Sequence, residues 1–142
     1  ALVLTAIVIG FAMTALFLVV LLASRGMAGT DHVRIQHQTL PREWPVGLFD
    51  LIVIAEWAYY LSPPDLEALA VKCHASLTPE GCLVACHWRP DFSDRRLATD
   101  TIHTRLGHGP QSAGPGWCRL VHHEEDEFLL NIWSPPTKAP SA

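Results

Sequence analysis

Two short clusters in this 142-residue chain carry side chains able to do chemistry, Glu56-Trp57-Ala58-Tyr59-Tyr60 and His87-Trp88-Arg89. Each follows directly on an aliphatic run, FDLIVIA in the first case and CLVAC in the second. In open α/β sheets ligands bind beyond the carboxyl ends of the strands, so side chains at these positions can reach one. A carboxylate or an imidazole there can orient an acceptor nucleophile or take its proton, and aromatic rings can wall the pocket. The same residues have quieter readings. Glu56 can cap the turn after its strand, His87 can be a satisfied, partly buried imidazole, and Tyr59 and Tyr60 can simply pack.

The elements that must position these groups are legible as local patterns. Leu51–Ala55 is a continuous aliphatic run, expected of a parallel strand buried on both faces. Ser62-Pro63-Pro64-Asp65 starts a helix, with Ser62 as cap, Pro63 in the first turn and Asp65 three residues after the cap. Leu66, Leu69, Ala70, Cys73 and Leu77 recur at helical spacing, and Thr78-Pro79-Glu80-Gly81 reads as the turn that stops the helix. Cys82–Trp88 is a second buried strand, so strand, helix and strand form a right-handed crossover. Thr99 or Asp100 starts a short helix carrying Ile102 and Leu106. WCRLVHH and FLLNIWS flank the charged EEDE and predict an antiparallel hairpin at a sheet edge.

Composition removes several function classes. The net charge is −4 and no Lys/Arg-rich run occurs, which argues against nucleic-acid binding. The four cysteines lack the dense spacing of a disulfide scaffold, and Cys82 and Cys86 are expected to be reduced thiols inside a buried strand. Cys82, Cys86 and His87 with His122 and His123 do not make a zinc site, because Cys86 and His87 point to opposite faces of one strand. No metal site is therefore expected, and His122-His123 beside the acidic run reads as a solvated hairpin tip. Neither a Ser/His/Asp arrangement nor a phosphate loop is present.

The first 23 residues, ALVLTAIVIGFAMTALFLVVLLA, carry no charge and can cross a bilayer, which takes about 20 apolar residues. Arg25, Arg34 and Arg42 follow, which puts the downstream side in the cytoplasm. The chain begins with Ala, as a processed protein or a fragment would. The stretch through Ser24-Arg25-Gly26 to Val33 resembles the last helix of the small three-helix membrane subunit of multisubunit cation/proton antiporters. That resemblance implies a membrane-embedded, partner-dependent protein.

From LPREWPVGLFDLIVIAEWAYYLSPPDLEAL through LTPEGCLVACHWRP to VHHEEDEFLLNIW, the chain resembles the C-terminal half of a class I S-adenosylmethionine-dependent methyltransferase, of the nodulation protein S type. The resemblance implies S-adenosylmethionine as cofactor and a small-molecule amine as acceptor. For such chemistry the strand-end positions make Glu56 and His87 the candidate catalytic residues, and Tyr59, Tyr60, Trp88 and Arg89 the candidate substrate contacts. The resemblance places Trp57 and its neighbours near the methyl donor and the acceptor, and Gln38 and Thr39 where the family often has an acidic residue near the adenine. The family also holds its cofactor on a Gly-rich turn after its first strand, and no G-x-G-x-G run occurs in residues 1–142. In the full family sheet the first strand lies beside the fourth, so Leu51–Ala55 is expected at a bare edge. Val33–Gln36 would swing in to cover that edge, or the edge stays open, where a partner chain could cover it or the chain aggregates.

The expected chain is thus α/β. A partial Rossmann-like methyltransferase sheet, two parallel strands plus a C-terminal antiparallel hairpin, follows one long hydrophobic helix. Residues 1–28 form the membrane helix, 29–48 a seam, 49–134 the half-domain and 135–142 a disordered tail. The expected function is that of a truncated methyltransferase, inactive alone. The alternatives are a fragment of an antiporter's membrane subunit, or an artefactual join of the two.

Overall fold

Strand propensity, a proline-started helix and a charged hairpin assemble into one mixed sheet with two helices on one face. The computed structural model describes residues 36–108 and 117–136. The chain divides into two units, Ala1–His37 and Gln38–Ala142, and only Gln36 and His37 of the first are described. The expected hydrophobic N-terminal helix, all but one residue of the Val33–Gln36 segment and most of the expected tail lie outside the described residues. Gln36 itself is not in a strand. Among the described residues no helix is long and apolar enough to cross a membrane.

The elements run β1 (Phe49–Ala55), a 3₁₀ turn (Ala58–Tyr60), α1 (Pro63–Ala75), β2 (Leu77–Trp88), α2 (Thr99–His108), β3 (Cys118–Glu124) and β4 (Phe128–Ser134). The sheet order is β1-β2-β4-β3, with β1 parallel to β2 and the remaining pairs antiparallel. The crossover and the hairpin are as expected. Within the hairpin only β3 lies at the edge, since β4 pairs with β2 as well. β1 is the other edge, paired on one side only among the described residues.

Helix α1 starts as its sequence dictates. Ser62 Oγ accepts from the Asp65 backbone N–H at 3.3 Å and donates to Asp65 Oδ2 at 2.6 Å, satisfying one orphan donor of the first turn. Its buried stripe is Leu66, Leu69, Ala70 and Cys73, and the last of these has its thiol pushed up to about 12 by burial. With Ile102 and Leu106 of α2, this stripe packs on Ile52, Ile54, Leu83, Ala85 and Trp133 of the sheet.

Three expectations need correction. Leu77 is not on the helical stripe: the helix ends at Ala75 and Leu77 opens β2. Thr78–Gly81 does not separate helix from strand but forms an excursion within β2. Phe49 pairs with Leu77 and Leu51 with Cys82, so four residues of β2 stand opposite Asp50 alone. Thr78 Oγ1 donates to Asp50 Oδ1 at 2.9 Å, and a Cβ on Gly81 would lie 2.9 Å from the Phe49 carbonyl oxygen. The turn chemistry is present but its place differs, because pairing with β1 resumes on both sides of it. Finally, β1 and β2 are not buried on both faces. Ile52, Ile54, Leu83, Ala85 and His87 are buried, whereas Leu51 is exposed and Val53, Val84 and Cys86 are half-buried. Both described helices cover the same sheet face, so burial alternates along the strands. All four cysteines are free.

Candidate functional site at the carboxyl ends of the parallel strands

Glu56 follows the last residue of β1 and has a positive φ of 59°, a left-handed conformation that costs a non-glycine residue about 1–2 kcal/mol. Its contacts hold it there. The Glu56 backbone N–H donates to the Cys86 carbonyl at 3.1 Å. Oε1 accepts from the Trp88 backbone N–H at 2.8 Å, and Oε2 accepts from the Tyr59 hydroxyl at 2.6 Å. One carboxylate thereby ties the end of β1 to the end of β2 and to the 3₁₀ turn between them. The turn itself has no side-chain cap, so the carboxylate clamps the strand ends and does not cap the turn that follows. Burial, and then the neighbouring Glu56 carboxylate, push the Tyr59 phenol far above its ordinary range, so it stays a neutral donor.

Tyr59 is the hub of the aromatic cluster. Its ring meets Tyr60, Phe92 and His87 edge-on, with centroids at 5.1, 5.0 and 5.4 Å. Tyr59 is buried and Tyr60 is 51% exposed, so of the pair only Tyr60 presents its ring to solvent. Trp57 and Trp88 are half-buried against the core. The Tyr59 carbonyl also accepts from the Arg96 and Leu97 backbone N–H groups, which folds residues 89–98 back over the strand ends.

Arg89 leaves β2 toward the hairpin. Its Nη1 lies 2.8 Å from Glu124 Oε1 and 2.9 Å from the Glu125 carbonyl. Arg95 ties the loop internally: Nε donates to the Leu97 carbonyl at 2.9 Å, Nη1 to the Arg89 carbonyl at 2.5 Å and Nη2 to Thr99 Oγ1 at 3.2 Å. The Thr99 hydroxyl in turn donates to the Trp88 carbonyl.

Gln38 and Thr39 are not brought to this cluster by any described contact. Their loop is anchored near the end of α1, where Lys72 Nζ donates to the Pro41 carbonyl at 2.6 Å and Trp44 Nε1 to Ser76 Oγ at 2.8 Å. The Phe49 N–H donates to the Ser76 carbonyl at 2.8 Å, so this anchor sits at the amino end of β1, opposite Glu56.

His87 is fully buried and belongs to a line of polar side chains across the helix-covered face. His87 Nδ1 lies 3.1 Å from His103 Nε2, His103 Nδ1 lies 2.7 Å from Asn131 Nδ2, and Asn131 Oδ1 lies 2.8 Å from His122 Nδ1. Burial lowers His87 to about 3 and His103 to about 4, so both rings are neutral at pH 7. His122 and His123 are not at the hairpin tip, which is Glu125–Glu127; both lie in β3, and His122 is engaged by Asn131. A cleft of about 320 Å³ opens between α2 and the hairpin, beside His103, His122, Asn131, Asp100 and Trp117.

Sequence reasoning missed His103, Asn131, Arg95 and Thr99 as parts of the site. For two of them a signal existed. Asn131 alternates with Leu129 and Trp133 on the buried face of β4, and His103 stands beside Ile102 on the apolar face of α2. A polar residue at a core position needs a polar partner, though not an identifiable one. No group of His, Cys, Asp or Glu side chains among the described residues is arranged to hold a metal.

A parallel pair with a carboxylate and aromatic cluster at its carboxyl ends, extended by an antiparallel hairpin, is consistent with a methyltransferase-like α/β fold. The chain is similar to a "putative Methyltransferase from Pseudomonas syringae", with 39% identity over 80% of this chain and 65% of that one and a TM-score of 0.59. It is also similar to N-methyltransferase NodS from Bradyrhizobium japonicum WM9 in complex with S-adenosyl-L-homocysteine, with 25% identity over 80% of this chain and 60% of that one and a TM-score of 0.58. At the N-terminus, 33 residues are 94% identical to a protein of Rhizobium meliloti (strain 1021) described as a probable K(+)/H(+) antiporter component, over 23% of this chain and 29% of that protein. The chain thus spans less than two thirds of each of these proteins. No family model matches it.

Proposed function

We infer that residues 49–134 are the acceptor-side half of an S-adenosylmethionine-dependent methyltransferase of the small-molecule N-methyltransferase lineage. The observation that carries this reading is the 39% identity over 80% of the chain to the Pseudomonas syringae protein. The cluster at the strand ends supports it. In methyl transfer to an amine, the nitrogen lone pair forms the new C–N bond as the sulfonium C–S bond breaks. The thioether departs with that electron pair, and the amine's extra proton goes to water or a base. Such a step is accelerated by holding nucleophile and methyl group in line. In this reading Tyr60, Trp57, Trp88 and Arg89 line the acceptor side, His87 orients the acceptor or donor from below, and Glu56 with Tyr59 keeps the strand ends in register.

The 142 residues contain no G-x-G-x-G turn to approach a cofactor closely. The chain alone is therefore inactive in this reading, and Gln38 and Thr39 do not replace the missing contacts. A donor half pairing along the edge of β1 that has no partner strand among the described residues would restore the site. Calorimetric titration of the 142-residue chain with S-adenosylmethionine is expected to give no micromolar binding. Adding the N-terminal segment of the Pseudomonas syringae protein is expected to bring binding and release of S-adenosylhomocysteine with amine acceptors. Micromolar binding by the chain alone refutes its incompetence, and no binding with the added segment refutes the methyltransferase reading.

A second reading concerns residues 1–23, favoured by the 94% identity of 33 residues to the antiporter component. These residues would anchor the chain in a membrane with the remainder on the cytoplasmic side. The chain is expected to stay in the pellet on carbonate extraction of membranes; release into the supernatant refutes the anchor. A single peptide spanning Ala28 to Arg34, detected by mass spectrometry, is expected if the two parts are one protein and not an artefactual join.

A further inference from the structure

The line of side chains from the hairpin to the strand ends has a direction. An amide nitrogen only donates and an amide oxygen only accepts. Asn131 turns Nδ2 toward His103 Nδ1 and Oδ1 toward His122 Nδ1. His103 is therefore bare at Nδ1 and carries its proton on Nε2. That proton faces His87 Nδ1 at 3.1 Å, so His87 is bare at Nδ1 and carries its own proton on Nε2. His87 Nε2 is buried and has no hydrogen-bond partner among the described residues.

We propose that Asn131 is a positioning residue that, acting through His103, fixes His87 as a neutral hydrogen-bond donor toward a ligand oxygen. This deepens the methyltransferase reading and rests on it for the ligand's identity as methyl donor or acceptor. A buried N–H recognises a carboxylate, carbonyl or hydroxyl oxygen, and an unsatisfied donor at that place discriminates against ligands lacking one. Held in this tautomer, His87 Nε2 has no lone pair in the ring plane and cannot take a proton from an amine. The backbone geometry favours the arrangement. Asn131 faces Ala85 across the β2–β4 ladder, two residues before His87 and on the same face. His122 faces Asn131 across the β3–β4 ladder, which closes the line at the hairpin.

The tautomers are read directly from the imidazole nitrogen shifts of the full chain labelled with ¹⁵N-histidine, at pH 7.5 and without added ligand. His87 and His103 are both expected to be protonated at Nε2 and bare at Nδ1. In Asn131→Asp an accepting oxygen replaces the donating nitrogen, and His103 Nδ1 is expected to gain a proton, moving its resonance into the protonated range. A purely structural role for Asn131 would not move that signal. A His87 ring protonated at Nδ1 in the unsubstituted chain overturns the proposal, as does a His103 Nδ1 that stays bare in Asn131→Asp. If that variant does not fold, the tautomer of His87 in the unsubstituted chain decides alone. None of these readings depends on S-adenosylmethionine binding, so failure of the methyltransferase reading is seen separately by calorimetry.

Discussion

Lowering the pH from 7 to 5 is expected to destabilise the fold by about 2 kcal/mol for each of His87 and His103, since a buried neutral histidine withdraws about 1.4 kcal/mol per pH unit below its unfolded pKa. Both rings have folded values depressed below the ordinary 6.5, to about 3 and about 4, chiefly by burial. The neighbours add to this for His87, where His103 and Arg95 both disfavour a cation; at His103, Asp100 pulls the other way and His122 does not. The sign follows from proton counting. Above pH 6.5 neither state binds a proton at these rings and their contribution is complete. Between 6.5 and about 4, the unfolded chain takes up protons that the buried rings refuse, so stability falls as pH falls. Below the folded values both states are protonated and no further loss accrues. His74, whose ring is also lowered by burial, shifts stability in the same direction. Urea unfolding of the full chain at pH 7, 6 and 5 reads the effect as a falling midpoint. A midpoint unchanged between pH 7 and 5 contradicts the neutral histidine pair.

The second large effect belongs to Glu56. Glu56→Ala removes the acceptor of both the Trp88 N–H and the buried Tyr59 hydroxyl. Leaving two such donors unpaired is expected to cost roughly 3 kcal/mol or more, at about 1–3 kcal/mol for each group. The alanine would also sit at the positive φ without the carboxylate that holds the turn in place. Glu56→Gln keeps one amide oxygen for Trp88, and the Tyr59 hydroxyl can turn to accept from the new amide. Its cost is expected to be about 1 kcal/mol, near that of one ordinary hydrogen bond. The pair of variants separates a clamp from a base. A clamp predicts a large stability gap between Ala and Gln, measured by denaturant midpoint at unchanged slope. If Glu56→Ala behaves like an ordinary surface substitution, within about 0.5 kcal/mol, the clamp is wrong.

The cluster is legible in the sequence as a location but not as chemistry. Glu56, Tyr59, Trp88 and Arg89 can be assigned to strand ends from the aliphatic runs before them, because a run of apolar residues and a change of period are local facts. Their partners cannot. The Trp88 N–H that meets Glu56 is 32 residues away along the chain, and the His103–Asn131 contact joins residues 28 apart. Distances of that kind are set by which strand pairs with which, and in what register. The displaced turn at Thr78–Gly81 has the same origin: its residues make the expected excursion, but pairing with β1 resumes beyond it and keeps it within the strand.

By itself, the sequence determined the α/β class, the capped helix after Ser62, the parallel pair and the closing hairpin. All of these follow from neighbours a few residues apart: caps, turn residues and the periods of helix and strand. Only the tertiary structure decided that Glu56 clamps two strand ends, that His87 is buried beneath Tyr59, and that His103, Asn131 and His122 line up behind it. Those roles depend on cross-strand register and on helix α2 lying over the sheet, where burial removes water and leaves each polar atom only the partner that the fold supplies.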